Sequence, residues 1–315
     1  MKVGYTTTIP VEIILAAGHI PVDLNNIFVT NNSVQYVEDA EMFGYPRNSC
    51  AWIKGMHAVA MQSDIDLIVG IVQGDCSNTH SLMEILKNNG KEVYPFSFSY
   101  SKNYEETKQQ IYQMEKFFNV KHSAVLKMKK KLDKIRKKLV YLDKLTWNEN
   151  IVTGFENHYY LVNSSDFLGN PDYFEKELDS FLKKAEKRNP IDFKFRMGFV
   201  GVPPIIQNLY EVFENLGIHI VFNEVQRQFS MPQLEKDFIQ QYLSYTYPYD
   251  VNFRIKDIQK EIEKRNIDGV ISYTQAFCHR QIEEIIIKEK LDYPVITLEG
   301  DQPTDMDART KRRLE

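Results

Sequence analysis

Three cysteines are the residues in this chain whose type and spacing most directly suggest chemistry. Cys76 closes the run Ile65-Asp66-Leu67-Ile68-Val69-Gly70-Ile71-Val72-Gln73-Gly74-Asp75-Cys76, a buried-strand pattern that leads into an apolar helical stretch. Cys278 closes Ile267-Asp268-Gly269-Val270-Ile271-Ser272-Tyr273-Thr274-Gln275-Ala276-Phe277-Cys278 in the same way. Without a gap, Ile, Asp, Gln and Cys coincide between the two runs at a constant offset of 202 residues. Cys50 follows Tyr45-Pro46-Arg47-Asn48-Ser49, where a turn and a capping Asn48 or Ser49 predict a helix start. All three thiols therefore fall at expected helix N-termini, where unpaired N–H groups and the helix dipole are expected to lower a thiol's pKa. Inert buried thiols are the commoner fate of cysteines, but they have no reason to gather at such junctions.

Three convergent thiolates suit a metal group. Structural zinc wants four ligands, usually with a close pair such as C-x-x-C, and no close pair exists here. His57, His80 and His279 lie near the cysteines in sequence, so zinc held by three sulfurs and one nitrogen stays open. An iron–sulfur cubane is the better match, because three thiolates leave one iron free for water or substrate. Such an iron is a Lewis acid as well as an electron donor. His57, seven residues after Cys50 and two helical turns along, is a candidate general acid, against the commoner reading of a helix-surface histidine. His80 and His279 are candidates for hydrogen bonds that tune a sulfur. Glu299 and Asp301 read as helix-capping acids, with substrate-facing carboxylates as the alternative.

The elements that must position these residues are strands alternating with helices. Residues 2–7 predict a strand, Pro10 to Ala17 a helix closed by Gly18, and Ile20 to Leu24 a second strand. The order returns later, with a strand over 195–202, a helix from Ile205 to Leu216 closed by Gly217, and a strand over 218–222. That grammar predicts an α/β protein with two similar parallel-sheet domains, residues 1–102 and 190–315. Between them, residues 103–189 predict a helical region with one apolar stripe running from Ile111 to Leu142. Lys127, Lys129, Lys130, Lys131, Lys134, Arg136, Lys137 and Lys138 crowd that region. A solvated face is the ordinary reading of such a run, and a docking surface for an acidic partner or for the phosphates of a nucleotide-like ligand the sharper one. Asn170-Pro171-Asp172 predicts the start of one more helix.

At 315 residues, 43% hydrophobic and 26% charged, the chain is long enough for two cores. A net charge of −4 gives no electrostatic case for nucleic acid. No apolar run approaches the roughly 20 residues of a membrane span. Met1-Lys2-Val3-Gly4-Tyr5 reads as a strand rather than a signal peptide, so a cytoplasmic location is expected and a disulfide framework is not.

Taken together, Asn48-Ser49-Cys50 before a helix, Asp75-Cys76 after a buried strand and Phe277-Cys278 in the second half resemble the 2-hydroxyacyl-CoA dehydratase D-component family, which also contains the benzoyl-CoA reductase B and C subunits. The ending resembles it too, with Tyr293-Pro294-Val295-Ile296-Thr297-Leu298-Glu299-Gly300-Asp301 followed by the basic Thr310-Lys311-Arg312-Arg313-Leu314-Glu315. The resemblance implies two flavodoxin- or Rossmann-like domains enclosing a 4Fe–4S cluster bound by Cys50, Cys76 and Cys278. It implies a lyase or reductase working by anaerobic, low-potential chemistry: an acyl-CoA substrate approaches the open iron, a ketyl radical forms and water is eliminated. It further implies an ATP-hydrolysing activator as electron donor, and a homo- or heterodimer with a related subunit. A non-catalytic electron relay or maturation partner with the same cluster is the alternative, as is a cluster-free or zinc-holding ligand-binding protein. The chain is shorter than typical members and ends within the helix expected from Arg309, as a compact variant or a cut chain would. The turn Thr6-Thr7-Thr8-Ile9-Pro10 lacks G-x-G-x-x-G, so no dinucleotide site is expected.

Overall fold

Leu67 to Ile71 and the whole of Gly269–Gln275 are buried, as strands covered on both faces must be. The structure, a computed structural model describing residues 1–30 and 32–315, builds a sheet around each of them. The first half runs β1 (Lys2–Tyr5), α1 (Val11–Ala16), β2 (Ile20–Asp23), α2 (Leu24–Thr30), α3 (Ser33–Phe43), α4 (Ala51–Gln62), β3 (Leu67–Gln73), α5 (Asn78–Asn88) and β4 (Glu92–Ser97). Four helices follow: α6 (Tyr104–Phe117), α7 (His122–Trp147), α8 (Gly154–Asn163) and α9 (Pro171–Ala185). The second half begins with β5 (Phe195–Gly201), α10 (Leu209–Asn215), β6 (Ile218–Asn223), α11 (Glu224–Phe229) and α12 (Phe238–Ser244). It ends with α13 (Val251–Arg265), β7 (Gly269–Gln275), α14 (Arg280–Lys290), β8 (Val295–Gly300) and α15 (Ala308–Leu314).

Every strand pair is parallel, and the two sheets share one order, β2-β1-β3-β4 and β6-β5-β7-β8. The chain is thus an α/β protein with two parallel sheets flanked by helices. The repeated residues do the same work in each half. Asp66 accepts the Lys2 backbone N–H at 2.7 Å, and Asp268 accepts that of Arg196 at 2.8 Å, each fixing the register of a neighbouring strand. Gln73 donates to the Phe98 carbonyl and Gln275 to that of Asp301, tying each central strand to the turn after its outer neighbour. Ile65 and Ile267 are both buried and lie against Gly4 and Gly198, where an added Cβ would crowd them at 3.1 and 3.3 Å.

Two sequence expectations shift. The stripe from Ile111 to Leu142 is divided between α6 and α7, because Asn119 turns left-handed between them. The helix expected over 205–216 is only α10, since Pro203 and Pro204 hold the chain extended after β5. The basic run on α7 is partly consumed within the chain: Lys129 pairs with Asp133, Lys131 with Asp172, and Lys138 with Glu175 and Asp179.

Helix α7 joins the halves. Its Arg136 reaches buried Glu12 on α1 at 2.7 Å, and its Asp143 takes both arms of Arg265 on α13 at 2.9 and 2.6 Å. The segment 225–249 leaves the second half to pack beneath the first sheet: Phe238, Tyr242 and Tyr245 share a core with Val3, Tyr5 and Ile13. Tyr242 donates to Glu12 at 2.5 Å there.

Candidate functional site

The carboxyl ends of both sheets face one cavity, which holds about 880 Å³ of empty space including its mouth. Cys50, Cys76 and Cys278 all line it. Cys50 is itself the N-cap of α4, a place expected for Asn48 or Ser49; Ser49 instead turns back to the Pro46 carbonyl. Cys76 and Cys278 each stand one residue before the N-cap, which is Ser77 for α5 and His279 for α14. Backbone N–H groups at these helix starts favour the charged form of each thiol: Trp52 and Ile53 for Cys50, Asn78 for Cys76, Arg280 for Cys278.

Each approach to a paired cysteine needs a left-handed residue. Gly74 takes φ +98°, and a side chain there would press on Phe98 and on Pro248 of the other half. Phe277 takes φ +62°, an unfavourable conformation for an aromatic residue.

The thiols are not the low-pKa groups that their position predicts. Burial pushes Cys50 up to about 12, and the nearby Cys278 adds to this; the N–H groups of Trp52 and Ile53 recover only part. Burial and then Asp75 push Cys76 up to about 12, and burial raises Cys278 as well. Helix N-termini are worth less here than the removal of water. The sulfurs are nonetheless close enough to feel one another, since Cys50 and Cys278 each act on Cys76. Among the described residues, no three His, Cys, Asp or Glu side chains close on a single point as the ligands of one ion would.

The other predicted residues divide. His279 lines the cavity, and its buried Nδ1 has no partner among the described residues. His57 is absent from the lining; it is buried against Phe43 and Tyr45, with both ring nitrogens unpaired among the described residues. His80 is exposed and holds the Val72 carbonyl at 2.6 Å. Glu299 is exposed and accepts from Gln281, while the cap of α15 is Asp307 rather than Glu299 or Asp301.

Sequence reasoning missed three cavity groups, Arg280, Asp23 and His158, and Asp166 beside Asp23. Arg280 is buried, donates to the Tyr247 carbonyl at 2.8 Å and stacks on the Tyr247 ring at 3.9 Å. Its charge draws the Asp75 carboxyl back, although burial still lifts that group to about 6. Asp23 ends β2 and accepts from Ser165 at 2.7 Å, and its own N–H donates to Asp166 at 3.0 Å. Burial and then Asp23 raise Asp166 to about 7. His158 on α8 completes the set, with Nδ1 held by Tyr210 and Gln226 at 3.1 Å each. Burial lowers it to about 4, so it is uncharged near neutrality. Nothing in the sequence near His158 marks it; the Thr153–Glu156 capping box announces only that a helix begins.

In comparison with known families, a model described as 2-hydroxyglutaryl-CoA dehydratase, D-component, matches residues 6–315. No curated protein matches the chain. No helix among the described residues is long and apolar enough to cross a membrane.

Proposed function

The chain belongs to the 2-hydroxyglutaryl-CoA dehydratase D-component family, and from that premise we propose that Cys50, Cys76 and Cys278 hold a 4Fe–4S cluster used to dehydrate a 2-hydroxyacyl-CoA by a low-potential radical route. One observation carries the reading: thiols from three separate chain segments line one cavity at the carboxyl ends of two sheets. The donor set favours a cluster over a single ion. Three thiolates with no close C-x-x-C pair leave a single tetrahedral ion short of its usual fourth ligand, whereas a cubane keeps one iron without cysteine. Binding of a positively charged metal group would deprotonate these buried thiols.

A cluster bound there supplies a low-potential electron and, at its iron without cysteine, a Lewis acid. The chain's own residues do the rest. Backbone N–H groups of Trp52, Ile53, Asn78 and Arg280 stabilise sulfur-borne negative charge, and the Arg280 guanidinium adds a fixed cation beside them. Val29, Val162 and Phe229 give the cavity an apolar wall, which suits the acyl end of a thioester. The family implies an activator that delivers the electron. A related subunit would find uncovered apolar surface at Ile282 and Ile285 on α14.

The test is anaerobic reconstitution with iron and sulfide. Wild type is expected to retain about four of each per chain, and Cys50→Ala, Cys76→Ala and Cys278→Ala to retain little. Unchanged metal content in Cys50→Ala would sink the three-cysteine site. A change in the cluster's spectrum on adding a 2-hydroxyacyl-CoA supports catalysis; a silent spectrum favours an electron relay.

A further inference from the structure

The cavity wall supplied by the helical region contains a histidine whose tautomer the surrounding hydrogen bonds determine. The chain of reasoning starts at Asp143, which is an acceptor only, because both arms of Arg265 are on it. Asn157 must therefore turn its amide nitrogen to Asp143, at 3.1 Å, which leaves its oxygen as an acceptor. Asn223 meets that oxygen at 2.8 Å and the Gly154 carbonyl at 3.0 Å, so it too presents nitrogen on that side and oxygen on the other. The Tyr210 hydroxyl lies 2.7 Å from this Asn223 oxygen and gives it its one proton. Toward His158 Nδ1, at 3.1 Å, Tyr210 then has only a lone pair to offer. The contact is a hydrogen bond only if Nδ1 carries the hydrogen. Turning the Gln226 amide over fits the same answer: its oxygen, buried and unpaired as placed, would accept from Nδ1 as well.

A neutral imidazole protonated at Nδ1 leaves a lone pair on Nε2. Among the described residues both hydrogen bonds of the ring are at Nδ1 and none is at Nε2, and His158 lines the cavity. We propose that His158 Nε2 is an acceptor that binds a substrate hydroxyl group, making the cavity selective for a hydroxylated ligand over its deoxy counterpart. Its place on α8, outside both cysteine-bearing sheets, makes it a substrate contact independent of the thiols. The proposal rests on the dehydratase reading for the substrate class, though not for the tautomer.

Two substitutions separate the ring nitrogens. His158→Asn keeps an amide near Nδ1 and deletes the acceptor, whereas His158→Gln extends an amide oxygen to the position of Nε2. Nitrogen-15 spectra of the labelled protein are expected to show Nδ1 protonated and Nε2 bare near neutral pH; the opposite tautomer overturns the proposal. Calorimetric titration then compares 2-hydroxyglutaryl-CoA with glutaryl-CoA, and free 2-hydroxyglutarate with glutarate. Wild type and His158→Gln should prefer the hydroxylated member by roughly tenfold, the worth of one hydrogen bond, and His158→Asn should show no preference. No preference in either series, or a preference that survives in His158→Asn, overturns it. A preference among the free acids with no binding of either thioester would sink the thioester reading while leaving His158 its role. Iron and sulfide content should be the same in all three proteins, and its loss in His158→Asn would make the residue a support of the cysteine site instead.

Discussion

The two halves of this chain share a strand order, a register clamp and a strand tie, yet they differ at the ends of corresponding strands. β2 ends in Asp23 and β6 in Asn223. The acid accepts from Ser165 and Asn25 and faces a second buried acid, Asp166; the amide's own side-chain partners, Tyr210 and Asn157, are uncharged. A second difference lies at the helix that returns to each central strand. Cys50 caps α4, whereas Asp250 caps α13. The duplicated frame thus delivers one cysteine per half, and the third comes from a connection that has diverged. Equivalent backbone placement does not dictate equivalent chemistry; the side chain at the strand or helix end does.

The largest effect should come from breaking the frame where α7 holds it. Arg136→Met strands Glu12 in the first half, and Arg265→Met strands Asp143 in the second, where Glu261 keeps Arg227 and Lys264. Each should cost about 3–5 kcal/mol, since a lone buried charge remains. Burial pushes the Glu12 carboxyl up, but Arg136 and the Tyr242 hydroxyl outweigh it and hold it below the usual range. Urea midpoints at constant slope would measure both variants. If only one variant were destabilised, the two ends of α7 would not be comparable anchors.

A pH profile sharpens the contrast between Asp23 and Asn223. Asp166 titrates at about 7 in the fold, above its unfolded value of about 3.9. The folded state therefore keeps this proton longer than the unfolded state does. Stability from this group is present below about pH 4 and falls as pH rises through 7, the reverse of a salt-bridged carboxylate. Asp166→Asn should flatten that slope, and Asp23→Asn, which gives the first half the second half's side chain, should reduce it. Melting temperatures across pH 4 to 8 would show whether Asp23→Asn leaves the slope untouched, which would deny the coupling of the two acids.

The smallest effect tests the duplication itself. Asp66→Ala and Asp268→Ala each remove one exposed clamp on a neighbouring strand, at a cost of about 1 kcal/mol. Near-equal losses by chemical denaturation support a shared role, and a large inequality would break it.

Much of this frame was legible in the sequence because its signals are local. Ile65, Asp66, Gln73 and Cys76 repeat as a block, and alternating strands and helices admit few topologies. The thiols' raised pKa was not legible, because desolvation depends on what covers Cys50 and Cys76 from elsewhere in the chain. Asp23, Asp166 and His158 were missed for the same reason. Their partners lie far away in sequence, and no spacing rule joins β2 to the turn after α8. His57 shows the converse: helical spacing from Cys50 suggested a shared face, but Phe43 and Tyr45 enclose the ring away from the cavity.

The packing of residues 225–249 beneath the first sheet has a consequence for biosynthesis. A ribosome releases β1 to β4 long before it makes Phe238, Tyr242 and Tyr245, which fill the space under Val3, Tyr5 and Ile13. At roughly 5–20 residues per second, that interval lasts on the order of ten seconds. Until it closes, the first sheet lacks part of its core, and contacts more than 200 residues apart, such as Tyr242 with Glu12, must wait for most of the chain. The thiol of Cys76 therefore emerges early and its companion Cys278 last. Closure of the cavity that these thiols line is thus a late folding event.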